Sequence, residues 1–207
     1  MKHALTRIVG WSHELLAEVV VAGDLAVDLT AGNGHDALML FQLVGESGRV
    51  VAFDIQDQAL QSTEQRLKDA GAVVHRVGTH GPLLIGTGVS LIAACHSEMG
   101  RYLSAAPKAI VANLGYLPGG DQQLITRPET TRAALLTSCE LLAPGGRLAV
   151  VVYPEHAGGR EEAARVDTLF RSLSESEFDV LCLRVGNRRT APYLQVAEKR
   201  LRAKHSK

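Results

Sequence analysis

The sequence predicts an α/β protein: a mostly parallel sheet with helices on both faces, finished by an antiparallel hairpin. Three observations carry this. Short apolar runs of strand length, "LAVDLT" (25–30), "GRVVAFDI" (48–55), "KAIVANLGY" (108–116) and "GGRLAVVVY" (145–153), alternate with stretches of helical periodicity. Strands alternating with helices imply parallel pairing through right-handed crossovers. The last two strand-like runs, "FDVLCLRVGN" (178–187) and "PYLQVAEKRL" (192–201), have no helical stretch between them and so pair as a hairpin.

Taken in order, residues 4–21 repeat apolar positions at helical spacing, with Leu5, Ile8, Leu15, Leu16, Val19 and Val20 on one side. After the first strand, Gly-Asn-Gly leads into a helix, "HDALMLFQLVG". The second strand is followed by the helix "DQALQSTEQRLKDAG", closed by Gly71. Residues 72–95 hold two candidate strands, "AVVHRVG" and "VSLIAA" (89–94). Helices follow over 128–142 and in "GREEAARVDTLFRSL". No repeat or low-complexity linker interrupts the 207 residues, which predicts one domain over the whole chain.

A hydrophobic content of 46% is enough for a core, and 21% charged residues argue against disorder. Zero formal net charge argues against a wholesale nucleic-acid binder. The average hides a basic end: residues 180–207 carry Arg184, Arg188, Arg189, Lys199, Arg200, Arg202, Lys204 and Lys207 against Glu198 alone. Cys95, Cys139 and Cys182 show no metal spacing, so no metal site is predicted and reduced thiols in a cytoplasmic protein are the simple reading. Nothing in the sequence reads as a signal peptide or a membrane span.

In an open α/β sheet the ligand lies beyond the C-terminal strand ends, at the switch point. "AGNGHDA" falls there. Gly32 and Gly34 allow close backbone approach, and the helix that follows offers free N–H groups. Asp54 ends the second strand at the distance where an acidic residue takes ribose hydroxyls. The spacing also fits a dinucleotide fingerprint, but Asp28 and Asp36 would repel a pyrophosphate. They suit a ligand carrying an adenosine, a sulfonium and an amino group, which is S-adenosylmethionine. On the fourth strand of this pattern, Asn113 and Tyr116 keep the spacing of the Asn/Asp/Ser-Pro-Pro-aromatic loop of nitrogen methyltransferases. Pro118, Gly119 and Gly120 then turn the chain so that Asp121 faces the cleft, or Asp121 simply caps a helix-entry turn.

The segments "LTAGNGHDALML", "FDIQ", "NLGYLPGGD", "YPEHAGGREE" and the closing "N…PYL…EK" resemble, in order over about residues 10–200, the YtqB/MnmM family. Its members were long labelled ribosomal RNA methylases. The resemblance implies a Rossmann-like class I fold, S-adenosylmethionine as donor, and methylation of the 5-aminomethyl group of wobble 5-aminomethyl-2-thiouridine in transfer RNA. It implies donor contacts from Asp28, Thr30, Gly32, Asn33, Gly34, Asp36, Asp54, Gln56, Asn113 and Leu114. "CHSE" matches the family's Ser-His-Glu, which adds Cys95 and His96, leaves residues 73–88 as an apparent insertion, and makes His80 a lesser candidate.

For catalysis, the resemblance implies that Asn113 and the Leu114 carbonyl orient the amine, that Tyr116 supports the base, and that Asp121 or His156 relays the proton. Gly115, Pro118, Gly119 and Gly120 are then expected to shape the substrate loop, and Arg188 and Arg189 to reach the RNA. The chain departs from the family at Glu155, where glycine is common, and in "NRRTAPY", where only Asn187 and Pro192 are kept. The sequence leaves a homodimer open. It also leaves open a ribosomal RNA or small-molecule amine substrate, an NAD-dependent oxidoreductase, and a non-enzymatic RNA-binding module.

Overall fold

The structure is a computed structural model, and it describes residues 4–78, 86–115, 125–155, 158–188 and 190–201. The apolar runs form β1 (Leu25–Asp28), β2 (Arg49–Asp54), β3 (Val74–Val77), β4 (Gly88–Ala93), β5 (Ala109–Asn113), β6 (Arg147–Val152), β7 (Phe178–Leu183) and β8 (Tyr193–Lys199). Among the described residues these make one eight-stranded sheet in the order β3-β4-β2-β1-β5-β6-β8-β7. β3, β4, β2, β1, β5 and β6 are mutually parallel. β8 pairs antiparallel with both β6 and β7, which is the predicted hairpin, with its second strand inserted inward. The chain moves outward from β1 to β2 on one side and returns to β5 on the other, so the switch point lies between β1 and β5.

The helices are α1 (Ile8–Ala17), α2 (His35–Val44), α3 (Asp57–Asp69), α4 (Pro128–Leu141) and α5 (Gly159–Ser172). Alternate strand residues feed two core layers. Ala26, Val50, Ala52, Val111, Ala149 and Val151 pack with Leu16, Leu40, Leu60 and Leu67 of α1, α2 and α3. Val27, Phe53, Ile110, Leu148 and Val150 pack with Leu135 of α4, Phe170 of α5 and Met99. Helices on both faces explain why β1 is buried along its whole length. α3 ends as expected: Gly71 takes φ +81°, its N–H bonds the Lys68 carbonyl at 2.9 Å, and the Ala72 N–H bonds Leu67 at 3.0 Å.

One expectation changes. The first helix is shorter than 4–21: residues Ala4–Thr6 form a separate 3₁₀ turn, and Leu5 is 76% exposed. The buried stripe is Ile8, Ser12 and Leu16, and the helix stops before three consecutive valines, which are stiff at χ1. Both candidate strands within 72–95 form. β3 therefore belongs to the apparent insertion and adds an edge strand outside β4. Among the described residues no helix is long and apolar enough to cross a membrane.

Candidate functional site

The C-terminal ends of β1, β2, β5 and β6 share one edge, and the chain after β1 runs across it. Backbone bonds pin this segment to both neighbours: the Leu29 N–H to Val111 at 2.9 Å and the Ala31 N–H to Phe53 at 2.8 Å. Gly32 and Gly34 adopt φ of +52° and +77°, conformations natural to glycine. α3 holds the loop from outside. The Thr63 hydroxyl donates to the Gly32 carbonyl at 3.0 Å, and Arg66 Nε donates to the Asn33 carbonyl at 2.6 Å. A Cβ on Gly34 would lie 2.8 Å from Thr63 Cα, so this close approach requires glycine.

Asp54, at the end of β2, accepts the Gly32 N–H at 2.9 Å on one oxygen and the Gln56 N–H at 2.9 Å on the other. Burial raises its pKa, and those N–H bonds oppose the rise. Asp28 is fully buried and accepts the Thr30 N–H at 3.0 Å. Its other oxygen has no partner among the described residues. Burial first, and the Asp36 charge second, hold the Asp28 carboxyl well above the ordinary carboxylate range.

Asp36, buried in the first turn of α2, joins two other elements. His13 Nε2 of α1 lies 2.5 Å from its Oδ1, and Asn113 Nδ2 donates to its Oδ2. The Asn113 N–H bonds the Thr30 hydroxyl at 2.8 Å, which ties the end of β5 to the loop after β1. Asn113 Oδ1 is buried and has no partner among the described residues. Tyr153, just past β6, has its phenol pushed up by burial and then by the Asp36 charge.

Beyond Asn113 the chain is held at its base. Gly115 and Thr126 are doubly bonded: the Gly115 N–H to the Thr126 hydroxyl and the Thr126 N–H to the Gly115 carbonyl, both 2.9 Å. The Thr126 hydroxyl donates to Glu162 Oε2 at 2.8 Å, and the Thr131 hydroxyl donates to Glu162 Oε1 at 2.6 Å. Glu162 is buried, in the first turn of α5, where a carboxylate is favoured by the helix N-terminus.

A family model described as "Putative rRNA methylase" matches residues 50–199, more than half of the chain. The chain belongs to this rRNA methylase family. A model of the ubiE/COQ5 methyltransferase family also matches residues 11–82. Among curated proteins, a chloroplastic tRNA (mnm(5)s(2)U34)-methyltransferase of Arabidopsis thaliana is 36% identical over 196 residues, covering 91% of this chain and 68% of that one. Among solved structures, an rRNA-methylase from Clostridium thermocellum matches with TM-score 0.82 and 38% identity over 93% of this chain and 97% of that one. A methyltransferase from Streptococcus mutans in complex with SAH matches with TM-score 0.79 and 33% identity, over 93% and 98%. The rRNA methylase fold here is the expected class I arrangement, and the protein is an S-adenosylmethionine-dependent methyltransferase.

In this methyltransferase the predicted residues Asp28, Thr30, Gly32, Asn33, Gly34, Asp36, Asp54, Gln56, Asn113 and Leu114 converge on the β1–β5 edge. His96 reaches it from the α4 side. It packs at a small cavity with Leu29, Ala112, Leu114 and Thr131 and engages the Leu29 backbone. Burial pushes its pKa down, and its Nε2 has no partner among the described residues. Cys95 accepts the Ser97 hydroxyl at 3.1 Å. Tyr116, Pro118, Gly119, Gly120, Asp121, His156, Arg189 and the lesser candidate His80 lie outside the described residues.

The basic end is partly used internally. Arg184 bonds Asp167 at 2.6 and 2.8 Å and sits 3.4 Å from the centre of the Tyr193 ring. Arg200 pairs with Asp179 at 2.6 Å, and Lys199 donates to the Cys139 and Glu140 carbonyls. Arg188 is exposed on the β7–β8 turn, on the same edge as Asn113, and makes no ion pair among the described residues. Sequence reasoning missed His13, Tyr153 and Glu162. Only Glu162 left a signal, a carboxylate on the apolar stripe Gly159, Ala163, Val166, Leu169 and Phe170 of α5. Among the described residues no cluster of histidine, cysteine and carboxylate side chains could hold a metal.

Proposed function

We propose that this enzyme methylates an amine on RNA, and that its substrate is the 5-aminomethyl group of wobble 5-aminomethyl-2-thiouridine in transfer RNA. The observation that carries the amine assignment is the Asn113 amide. Its nitrogen is committed to Asp36, so its oxygen is left as a buried acceptor at the strand end where the family places its substrate loop. An acceptor of that kind suits an N–H. The transfer RNA assignment rests on the Arabidopsis relative's stated activity.

The residues fit S-adenosylmethionine. The unpartnered oxygen of Asp28 suits the donor's amino group, and the acceptor oxygens of Asp54 at the end of β2 suit ribose hydroxyls. Thr30, Gly32, Asn33, Gly34 and Gln56 shape the backbone around it, with Cys95 and His96 on the far side. When bound, the donor supplies an electrophilic methyl group carried by a positively charged sulfur. Asn113 Oδ1 would accept one amine N–H and the Leu114 carbonyl another, which would leave the nitrogen lone pair free to attack. Positioning of this kind supplies much of the acceleration in group transfer. As the bond forms, positive charge grows on the amine nitrogen, and Asp36, one hydrogen bond from Asn113, provides a fixed negative charge beside it. The methylated amine then sheds a proton, to Asp121 or His156.

RNA approaches over the β7–β8 turn, which carries the exposed Arg188; Arg189, next in the sequence, is assigned the same role. From β5 to β8 is two strand spacings, about 10 Å. The three free thiols fit a reducing compartment, which supports a cytoplasmic location. The test is direct: purified enzyme and donor are incubated with under-modified transfer RNA, and the digested nucleosides are read by mass spectrometry. Methyl gain on the wobble nucleoside is expected, and Asn113→Ala should lower single-turnover rate with donor affinity retained. Ribosomal RNA enters as competing substrate, because the family description names it. Methylation of ribosomal RNA alone would overturn the transfer RNA assignment, and a full-rate Asn113→Ala variant would remove Asn113 from the amine.

A further inference from the structure

α1 delivers one histidine to the site. His13, Asp36 and Asn113 come from α1, α2 and β5 and form one continuous line of hydrogen bonds, with Asp36 using a different oxygen for each partner. The His13 side chain is 28% exposed and that of Asp36 only 7%, so the line runs from the protein surface into the β1–β5 edge.

The chemistry of the line has one consistent solution. An ionised carboxylate only accepts, so His13 must present a protonated Nε2 and Asn113 must present its NH₂ group. That choice turns the Asn113 oxygen away from Asp36 and toward the substrate side. A flipped amide would set its oxygen against a carboxylate oxygen. We infer that His13 is a positioning residue, which holds the Asp36 carboxylate in place and thereby fixes the Asn113 amide with its oxygen presented to the target amine. The inference rests on the assignment of Asn113 to that amine.

Removal of His13 shows why a donor is needed at this place. Asp36 would keep one buried oxygen without its partner, beside the equally buried Asp28, whose carboxyl already feels the Asp36 charge. Without that anchor the Asp36 carboxylate is free to turn, and the Asn113 amide loses the fixed acceptor that sets its orientation. Tyr153, just past β6, is a further titratable group among the described residues that feels Asp36. Glutamine carries its amide nitrogen where histidine carries Nε2, and it should keep the line intact. Asparagine is one methylene too short to do so.

The experiment is a double-mutant cycle on the full-length enzyme with under-modified transfer RNA. His13→Ala, His13→Gln, Asn113→Ala and the His13→Ala/Asn113→Ala pair are compared in single-turnover rate and in donor affinity by titration calorimetry. His13→Ala should slow turnover about tenfold or more with donor affinity within about twofold of the parent, the scale expected when a reacting group is misplaced. His13→Gln should recover most of the rate, and the pair should be no slower than Asn113→Ala alone. His13→Asn replaces the alanine variant if that one fails to fold, with the same expectation. A parent rate in His13→Ala, a loss confined to donor affinity, or rate losses that multiply in the pair would each overturn the inference while Asn113 keeps its role. A full rate in Asn113→Ala would instead overturn the amine assignment, and the inference with it.

Discussion

Replacement of Gly34 by alanine separates two effects that usually arrive together. Gly34 and Gly71 both hold positive φ, +77° and +81°. A Cβ at Gly71 would meet nothing within 4 Å, whereas at Gly34 it would meet Thr63 Cα at 2.8 Å, Thr63 Oγ1 at 3.0 Å and Thr63 Cβ at 3.1 Å. The left-handed conformation costs an alanine roughly 1–2 kcal/mol, offset in part by roughly 0.4–1 kcal/mol from a stiffer unfolded chain. Gly71→Ala should therefore lose about 1 kcal/mol. Gly34→Ala adds overpacking against a helix backbone that no rotamer change can relieve, about 1–3 kcal/mol more.

Urea titration reads both variants, and the midpoint should move while the slope stays constant. Donor titration reads a second consequence. An alanine at 34 pushes α3 away from the loop whose Gly32 carbonyl is held by Thr63, so donor affinity should fall by roughly tenfold, equivalent to about 1.4 kcal/mol. Gly71 lies at the far end of α3, and its variant should bind the donor like the parent. Equal destabilisation by the two substitutions would refute the steric account. Parent-like donor affinity in Gly34→Ala would take the loop out of the donor site.

Asp28→Asn should weaken donor binding at least tenfold yet make the unliganded protein more resistant to urea at neutral pH. The sign follows from linkage: the folded carboxyl is raised, so the folded state holds a proton that the unfolded chain has lost, and stability falls as pH climbs from the unfolded pKa to the raised one. A variant less stable than the parent at neutral pH would contradict this. Glu162→Ala removes two hydroxyl bonds to a buried carboxylate, each worth roughly 1.5–3 kcal/mol, and should lose about 3 kcal/mol by urea titration. A loss below about 1 kcal/mol would show that Thr126 and Thr131 find other partners. Arg188→Ala should weaken RNA binding and make the slope of log affinity against log salt shallower by about 0.7 without changing donor affinity, and an unchanged slope would place the RNA elsewhere.

Much of the fold was legible because its signals are local. The strand–helix alternation gave the parallel sheet, and the absence of a helix between the last two runs gave the hairpin. Asp28 and Asn113 stood out because each ends an otherwise apolar run. The extent of α1 was not legible: Leu5 keeps the helical spacing, but spacing cannot show that the chain leaves the core before Ile8. β3 was ambiguous because His75 and Arg76 at the sheet edge are exposed and read like a loop. His13 left no signal, and the misplaced carboxylate of Glu162 did not say what it meets, for a common reason. Periodicity gives the face of a helix but not what meets it, and their partners lie 23 residues away for His13 and 36 and 31 for Glu162. The charge count of the C-terminal end failed similarly, since it could not show that Asp167 and Asp179 neutralise Arg184 and Arg200.

Three carboxylates meet at the β1–β5 edge, an arrangement that works against folding. Two of them are compensated from within. Asp54 takes backbone N–H groups on both oxygens, and Asp36 takes His13 and Asn113 while standing at a helix N-terminus. Asp28 is compensated only in part: backbone N–H groups of Thr30 and Ala37 act on it, yet it keeps a buried oxygen without a described partner and the repulsion of both neighbours. A residue held in that state is understandable where the missing positive charge arrives with a ligand. The donor carries such a charge on its amino group and another on its sulfur, and the proposed placement of the amino group at Asp28 supplies what the chain itself withholds. The repulsion that weakens the unliganded fold then becomes affinity for a cation. It also disfavours an anionic pyrophosphate at the same place, so a single carboxylate compensated only in part separates a methyl-donor site from a dinucleotide site built on nearly the same glycine spacing.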